Sequence, residues 1–181
     1  MKRVFLFLAE GFEETEAIGT VDVLRRAGID AETVSISNSL DVTGAHGIKI
    51  HADQLLKEAD IRIPDALILP GGMPGAKNLK ECEPLKELLL DQYRSDRIVA
   101  AICAAPMVLG TMGLLKGHRA TCYPGFEDFL IGAKATGKAT ETDGNVITGK
   151  GPGFVFDFAL AIVTAVRGKA VAEEVAAGML L

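Results

Sequence analysis

Short apolar runs alternate along this chain with longer segments of helical period. The runs Val4–Ala9, Ala31–Ser37, Asp65–Leu69 and Arg97–Ile102 are β-prone and predict buried strands. Between the first two, Glu13–Ala27 places Ala17, Ile18, Val21, Leu24 and Ala27 on one helical face, and Gly28 ends it. A charged segment, Pro84–Ser95, predicts another helix, as do Met107–Leu115, Phe154–Val166 and Ala170–Met179. Leu40–His51, broken by Gly44 and Gly47, reads as a small hairpin, and Lys138–Thr148 as another around Asp143-Gly144. Arg119–Cys122 adds a further strand.

Alternating β and α units imply an α/β fold: a doubly wound, mostly parallel sheet with helices on both faces. No linker, repeat or low-complexity stretch interrupts residues 1–181, so they predict a single domain. Right-handed crossovers put the strand ends after Ala9, Leu69 and Ile102 along one edge, where such sheets hold ligands.

Composition narrows the partners. A chain of 181 residues buries about 70% of its unfolded surface and needs no disulfide or metal staple. The net charge of −5, with no Lys/Arg cluster, argues against nucleic acid. Cys82, Cys103 and Cys122 form no C-x-x-C pair and no zinc spacing, an odd count that suits a reducing compartment. Met1-Lys2-Arg3 followed by Val4–Ala9 superficially resembles a leader. The apolar run is too short, however, and Glu10, Glu13, Glu14 and Glu16 follow at once. No segment is long enough to span a membrane. The expectation is a cytoplasmic protein without a membrane partner.

Chemistry concentrates where Val99-Ala100-Ala101-Ile102 stops at Cys103 and Ala104-Ala105-Pro106 opens a second apolar run. This reads as a strand–turn–helix elbow presenting a nucleophile. A thiol there would face a helix N-terminus, whose partial positive charge favours thiolate. Equally, Cys103 can be an ordinary buried cysteine. The first strand's loop brings Glu13, Glu14 and Glu16. An ionised carboxyl would raise the thiol pKa, whereas a protonated one can donate to thiolate. Acidic residues in a first helical turn also simply oppose the dipole. Gly71-Gly72 is either a turn or a backbone donor set for an oxyanion, with the Ala104 N–H as the second donor. His46, His51 and His118 lie on hairpin or turn positions away from the strand ends, and no spacing suggests a metal site. Gly151-Pro152-Gly153 lacks the phosphate-loop pattern and reads as a tight lead into a helix. Cys82 and Cys122 read as incidental.

Taken together, Glu13-Glu14-Thr15-Glu16, Val21-Asp22-Val23-Leu24-Arg25-Arg26-Ala27-Gly28, Leu69-Pro70-Gly71-Gly72, Ala100-Ala101-Ile102-Cys103-Ala104-Ala105-Pro106 and Gly151-Pro152-Gly153 resemble the ThiJ/PfpI superfamily. Within it the chain is similar to the branch of the parkinsonism-associated protein deglycase, over about Lys2 to Val175. The resemblance implies a flavodoxin-like sandwich, a homodimer and no cofactor. It assigns Cys103 as the reactive, oxidisable cysteine and Glu16 as a protonated partner. Gly72 and Ala104 match oxyanion donors, and Arg26 a basic residue near a dimer interface and pocket mouth. Two departures stand out. Ala104 follows the cysteine and Tyr123 stands where several relatives carry His, which speaks against a Cys–His peptidase. His46 stands where close relatives often carry Arg.

The expected function is a cofactor-independent enzyme of the glyoxalase or deglycase kind. Its substrates would be small carbonyls such as methylglyoxal, or their early adducts on Cys, Lys and Arg side chains. Cys103 would be the nucleophile, Glu16 the acid/base, and Gly71, Gly72 and Ala104 the oxyanion and substrate-binding groups. Arg26 and Tyr123 remain pocket or interface positions. One alternative is a redox-sensing or chaperone-like protein that acts through oxidation of Cys103. Another is a peptidase or amidotransferase-like hydrolase, which needs a histidine beside Cys103.

Overall fold

The structure, a computed structural model, describes residues 2–181. A seven-stranded sheet runs in the order β10-β11-β7-β6-β1-β2-β5. Its strands are β1 (Arg3–Leu8), β2 (Asp30–Ser35), β5 (Gln54–Leu55), β6 (Ala66–Leu69), β7 (Ile98–Ile102), β10 (Thr140–Asp143) and β11 (Val146–Gly149). Every neighbouring pair is parallel except β10 with β11. Val4 to Leu8 are at most 1% exposed, which is why this strand shows no polar alternation. Two side pairs complete the β structure: β3 (Asp41–Thr43) with β4 (Lys49–His51), antiparallel, and β8 (Arg119–Ala120) with β9 (Lys134–Ala135), parallel.

Helix α1 (Glu14–Arg26) leads from β1 to β2 on one side, while the chain crosses from β6 to β7 in the opposite direction. Right-handed crossovers taken in opposite directions put their helices on opposite faces. So α1 packs with α5 (Val155–Arg167), which leads into α6 (Lys169–Gly178). A second layer holds α2 (Gly75–Glu81), α3 (Glu83–Arg94) and α4 (Pro106–Thr111). The direction of winding reverses between β1 and β6, and such a switch opens a crevice at the carboxyl ends of the strands.

The helix stops have a local cause. Past α1, Gly28 has φ +67°, its N–H reaches the Arg25 carbonyl at 3.0 Å, and Ile29 N–H reaches Leu24 at 3.1 Å. Gly113 (φ +77°) repeats this double bond beyond α4, through Gly110 and Leu109, each at 3.0 Å. That stop cuts the helix expected over Met107–Leu115 to Pro106–Thr111. The strand expected over Arg119–Cys122 shrinks to two residues paired with β9, outside the main sheet. Helix α2 and edge strand β5 are too short to show a period, and the sequence did not reveal them.

Candidate active site

Cys103 follows β7 and is held in a left-handed conformation, φ +64°. A non-glycine residue there costs about 1–2 kcal/mol. The turn is fixed from both sides: Cys103 N–H donates to Gly149 at 2.9 Å, and Ala105 N–H donates to Ile102 at 3.0 Å. Ala104 and Ala105 are 2% and 0% exposed, so larger side chains have no room there. Pro106 opens α4 without a missing donor. The elbow read from the sequence is therefore present. The helix behind it has only six residues, so the long dipole expected to favour thiolate is curtailed.

Glu16, in the first turn of α1, is fully buried. Its Oε2 accepts the Gly71 N–H at 2.7 Å, while Oε1 has no hydrogen-bond partner among the described residues. Burial pushes its carboxyl up to about 7, opposed by the Gly71 N–H and the Cys103 side chain, and Glu13 adds to the rise. Burial likewise pushes the Cys103 thiol up, and an ionised Glu16 carries it to about 12; the N–H groups of Gly72 and Ala104 act in the opposite direction. When Glu16 is protonated its effect on sulfur reverses, because the acid can then donate to thiolate. The two groups thus ionise once near neutrality and resist a second ionisation.

Gly71 departs from expectation. Its N–H is spent on Glu16, so it anchors the acid and does not serve an oxyanion. Gly72, at φ +87°, turns its own N–H toward Cys103. A Cβ on Gly72 would lie 2.4 Å from the Glu13 nitrogen and 2.6 Å from the Gly11 oxygen, so the strand end and the α1 loop meet backbone to backbone. Gly72 and Ala104 are the two N–H donors facing the sulfur.

The other glutamates have structural work. Glu13 caps α1 by accepting the Glu16 N–H at 2.7 Å. Glu14 is buried against Gly44 and accepts from His46 N–H at 2.7 Å and from Ile48 N–H at 3.3 Å. Burial opposes its ionisation, but the His46 ring, 2.8 Å away, and these N–H groups hold its carboxyl below the usual range. Ligand atoms of Glu13, Glu14 and His46 converge within 4.8 Å, but those of Glu14 are already engaged in holding the β3–β4 hairpin.

The histidines are occupied elsewhere. His46 pairs with Glu14, and His51 with Asp41 at 2.8 Å. His118 meets the Tyr93 hydroxyl at 2.9 Å and the Asp143 carbonyl at 3.1 Å, at the far end of the sheet. No histidine is among the groups acting on the Cys103 thiol. Arg26 also lies away from the thiol. It ends α1, ten residues and about 15 Å of helix beyond Glu16. Its Nε donates to Asp22 at 2.7 Å, and it borders a separate cleft with Arg167 and Glu174. The expected place at the pocket mouth is corrected accordingly. Tyr123 does reach the elbow: its N–H donates to the Cys103 carbonyl at 2.8 Å. Cys82, Cys103 and Cys122 are all free thiols. Among the described residues, no helix is long and apolar enough to cross a membrane.

Comparison with known proteins identifies the family and the fold. Residues 2–165 match the DJ-1/PfpI family. "Protein DJ-1 homolog B" of Arabidopsis thaliana is 41% identical over 99% of this chain, which spans only 42% of that protein. A Caenorhabditis elegans protein named "Glutathione-independent glyoxalase DJR-1.2" is 38% identical over 91% of this chain and 88% of its own length. Among solved structures, a cysteine-to-alanine mutant of a DJ-1 superfamily protein from Salmonella typhimurium superposes with TM-score 0.95 at 37% identity. That match covers 99% of this chain and 98% of the other.

Proposed function

This chain belongs to the DJ-1/PfpI family, and we propose that it is a cofactor-independent cysteine enzyme that converts small α-oxoaldehydes to α-hydroxy acids. One observation carries the reading. A strained thiol receives two backbone N–H groups beside a buried carboxyl whose pKa lies near 7. An acid/base of that strength can both take and return a proton at neutral pH.

In the proposed reaction the Cys103 sulfur adds to the aldehyde carbon and the carbonyl electron pair moves to oxygen. Gly72 and Ala104 N–H hold that oxygen as it gains charge. The thiol proton passes to the Glu16 carboxylate and then to the oxygen, giving a hemithioacetal. Glu16 next takes the proton from the former aldehyde carbon, leaving an enediolate with its charge on the neighbouring oxygen. That oxygen takes the hydroxyl proton of the first carbon, and the neighbouring carbon takes the proton back from Glu16. The first carbon is oxidised to a thioester as the second is reduced to an alcohol, so no external oxidant enters. Water cleaves the thioester to the hydroxy acid and restores the thiol. Early adducts on Cys, Lys and Arg side chains release the same aldehydes reversibly and fall within this substrate class. The name of the C. elegans relative supports the reaction type. The proposal includes a homodimer, supported by Ile18 and Ile48, which are 46% and 54% exposed on α1 and the β3–β4 hairpin.

Replacing Cys103 with Ser abolishes glutathione-independent formation of lactate from methylglyoxal; a variant that retains turnover overturns the proposal. A second reading, redox sensing, is favoured by the unpartnered Oε1 of Glu16, which when protonated can donate to an oxygen added on sulfur. Selective oxidation of Cys103 by dilute peroxide, with no carbonyl turnover by the purified protein, shifts the assignment to that reading.

A further inference from the structure

The surroundings of Cys103 differ on its two sides. Toward β6 lie the polar groups: the Gly72 N–H, the Glu16 carboxyl and the Gly71 backbone. Toward β11 the elbow is bonded to Gly149, and two residues further along the rim stands Gly151. The Tyr123 ring lies against it. A Cβ on Gly151 would meet Tyr123 Cδ2 at 3.2 Å and Cε2 at 3.7 Å. Gly151 has an extended backbone, φ 169°, that any residue adopts. What glycine supplies here is space for the ring.

Tyr123 is tied to the site through its own main chain, by the 2.8 Å bond from its N–H to the Cys103 carbonyl. The residue is nevertheless 47% exposed. An aromatic ring held by its backbone and seated on a glycine, with an open side, is an uncharged wall.

We infer that Tyr123 is a specificity-determining residue, whose ring receives the non-reacting substituent of the substrate and favours aromatic or bulky apolar α-oxoaldehydes. The inference rests on Cys103 as the carbonyl nucleophile. Addition makes the attacked carbon tetrahedral. With its oxygen drawn to the N–H groups of Ala104 and of Gly72, which follows β6, the carbon leaves its other substituent the side toward β11, where the ring stands. Aromatic substituents gain offset or edge contacts there that a methyl group cannot make.

Alkylation of Cys103 tests this independently of turnover, since it requires only a thiol. The probes are iodoacetamide and N-benzyl iodoacetamide, which share a reacting group. Tyr123→Ala lowers the benzyl-to-unsubstituted rate ratio about two- to tenfold, while Tyr123→Phe keeps it. The same factor appears in the kcat/KM ratio of phenylglyoxal to methylglyoxal. An unchanged ratio in Tyr123→Ala, or an equal fall in both alkylation rates, overturns the assignment. If the alkylation ratio falls while wild type turns over neither glyoxal, the carbonyl reading fails and the role of the ring stands.

Discussion

Glu16 and Gly71 compete for one small volume. The Gly71 N–H donates to Glu16 Oε2 at 2.7 Å, and a Cβ on Gly71 would lie 2.7 Å from that same oxygen and 2.6 Å from Cys103 Cβ. The absence of a side chain at this position lets acid and thiol approach each other. Gly71→Ala must therefore separate them. The variant is expected to lose about 1–3 kcal/mol of stability through overpacking, or roughly 2–10 °C in Tm for a domain of this size. Its Cys103 alkylation profile should lose the inflection near neutrality. A variant with wild-type Tm and profile would show that the glycine is not needed for space.

Coupling between Glu16 and Cys103 has a distinct signature in alkylation rates. With Glu16 near 7 and the thiol pushed to about 12 once Glu16 is ionised, the wild-type rate should rise in two steps. The first reflects the single charge shared by the pair; the second reflects full thiolate. Glu16→Gln removes one titrating group, so the steps merge into one lying between them. Stopped-flow alkylation from pH 5 to 11 covers the first step and the rise toward the second. A single wild-type step that Glu16→Gln leaves in place would mean the groups share no proton.

Much of this arrangement was legible in the sequence because it is local. Strand β7, the elbow and the glycine stop of α1 each declare themselves within about eight residues. The three glutamates of the first loop were harder to separate. Glu13, Glu14 and Glu16 occupy one helical turn, and only packing shows that Glu13 caps, Glu14 braces the hairpin and Glu16 faces the thiol. Gly71 was placed in the site but in the wrong role, since adjacent glycines look alike until one N–H finds a carboxylate. Arg26 shares a helix with Glu16, but the axial rise carries it away from the thiol. The Glu14–His46 pairing and the seat of Tyr123 on Gly151 join residues far apart in sequence, and no local pattern announces them.

Burial of Glu16 also makes stability depend on pH. Its folded pKa, about 7, lies above the ordinary 4.5, so between those values the folded protein holds a proton that the unfolded chain has released. Stability from this group is full below about pH 4.5 and is lost as pH rises through 7, a swing on the order of 3 kcal/mol. Asp53 and Asp65 are shifted downward, so their contributions are lost only in stronger acid. His46, raised by its Glu14 partner, also loses stabilisation as pH rises, and does so alike in wild type and in Glu16→Gln. Urea midpoints at pH 4.5, 6 and 8 should fall further in wild type than in Glu16→Gln, where the Glu16 contribution is gone and that of His46 remains. Parallel curves for the two proteins would refute the assignment.

The left-handed backbone at Cys103 predicts that the thiol is held at the expense of stability. Cys103→Ala and Cys103→Gly both remove sulfur, and they differ only in whether a Cβ remains at φ +64°. In ordinary secondary structure glycine is the less stable of the two by about 0.5–1 kcal/mol. Here the order should invert, with Cys103→Gly more stable than Cys103→Ala by about 1 kcal/mol, because glycine alone occupies this region without penalty. For a domain of this size that is a difference of about 2–4 °C in Tm. Calorimetry on the two variants decides the matter. If alanine is the more stable, the elbow stores no strain, and the thiol is held there by its contacts with Glu16, Gly72 and Ala104 alone.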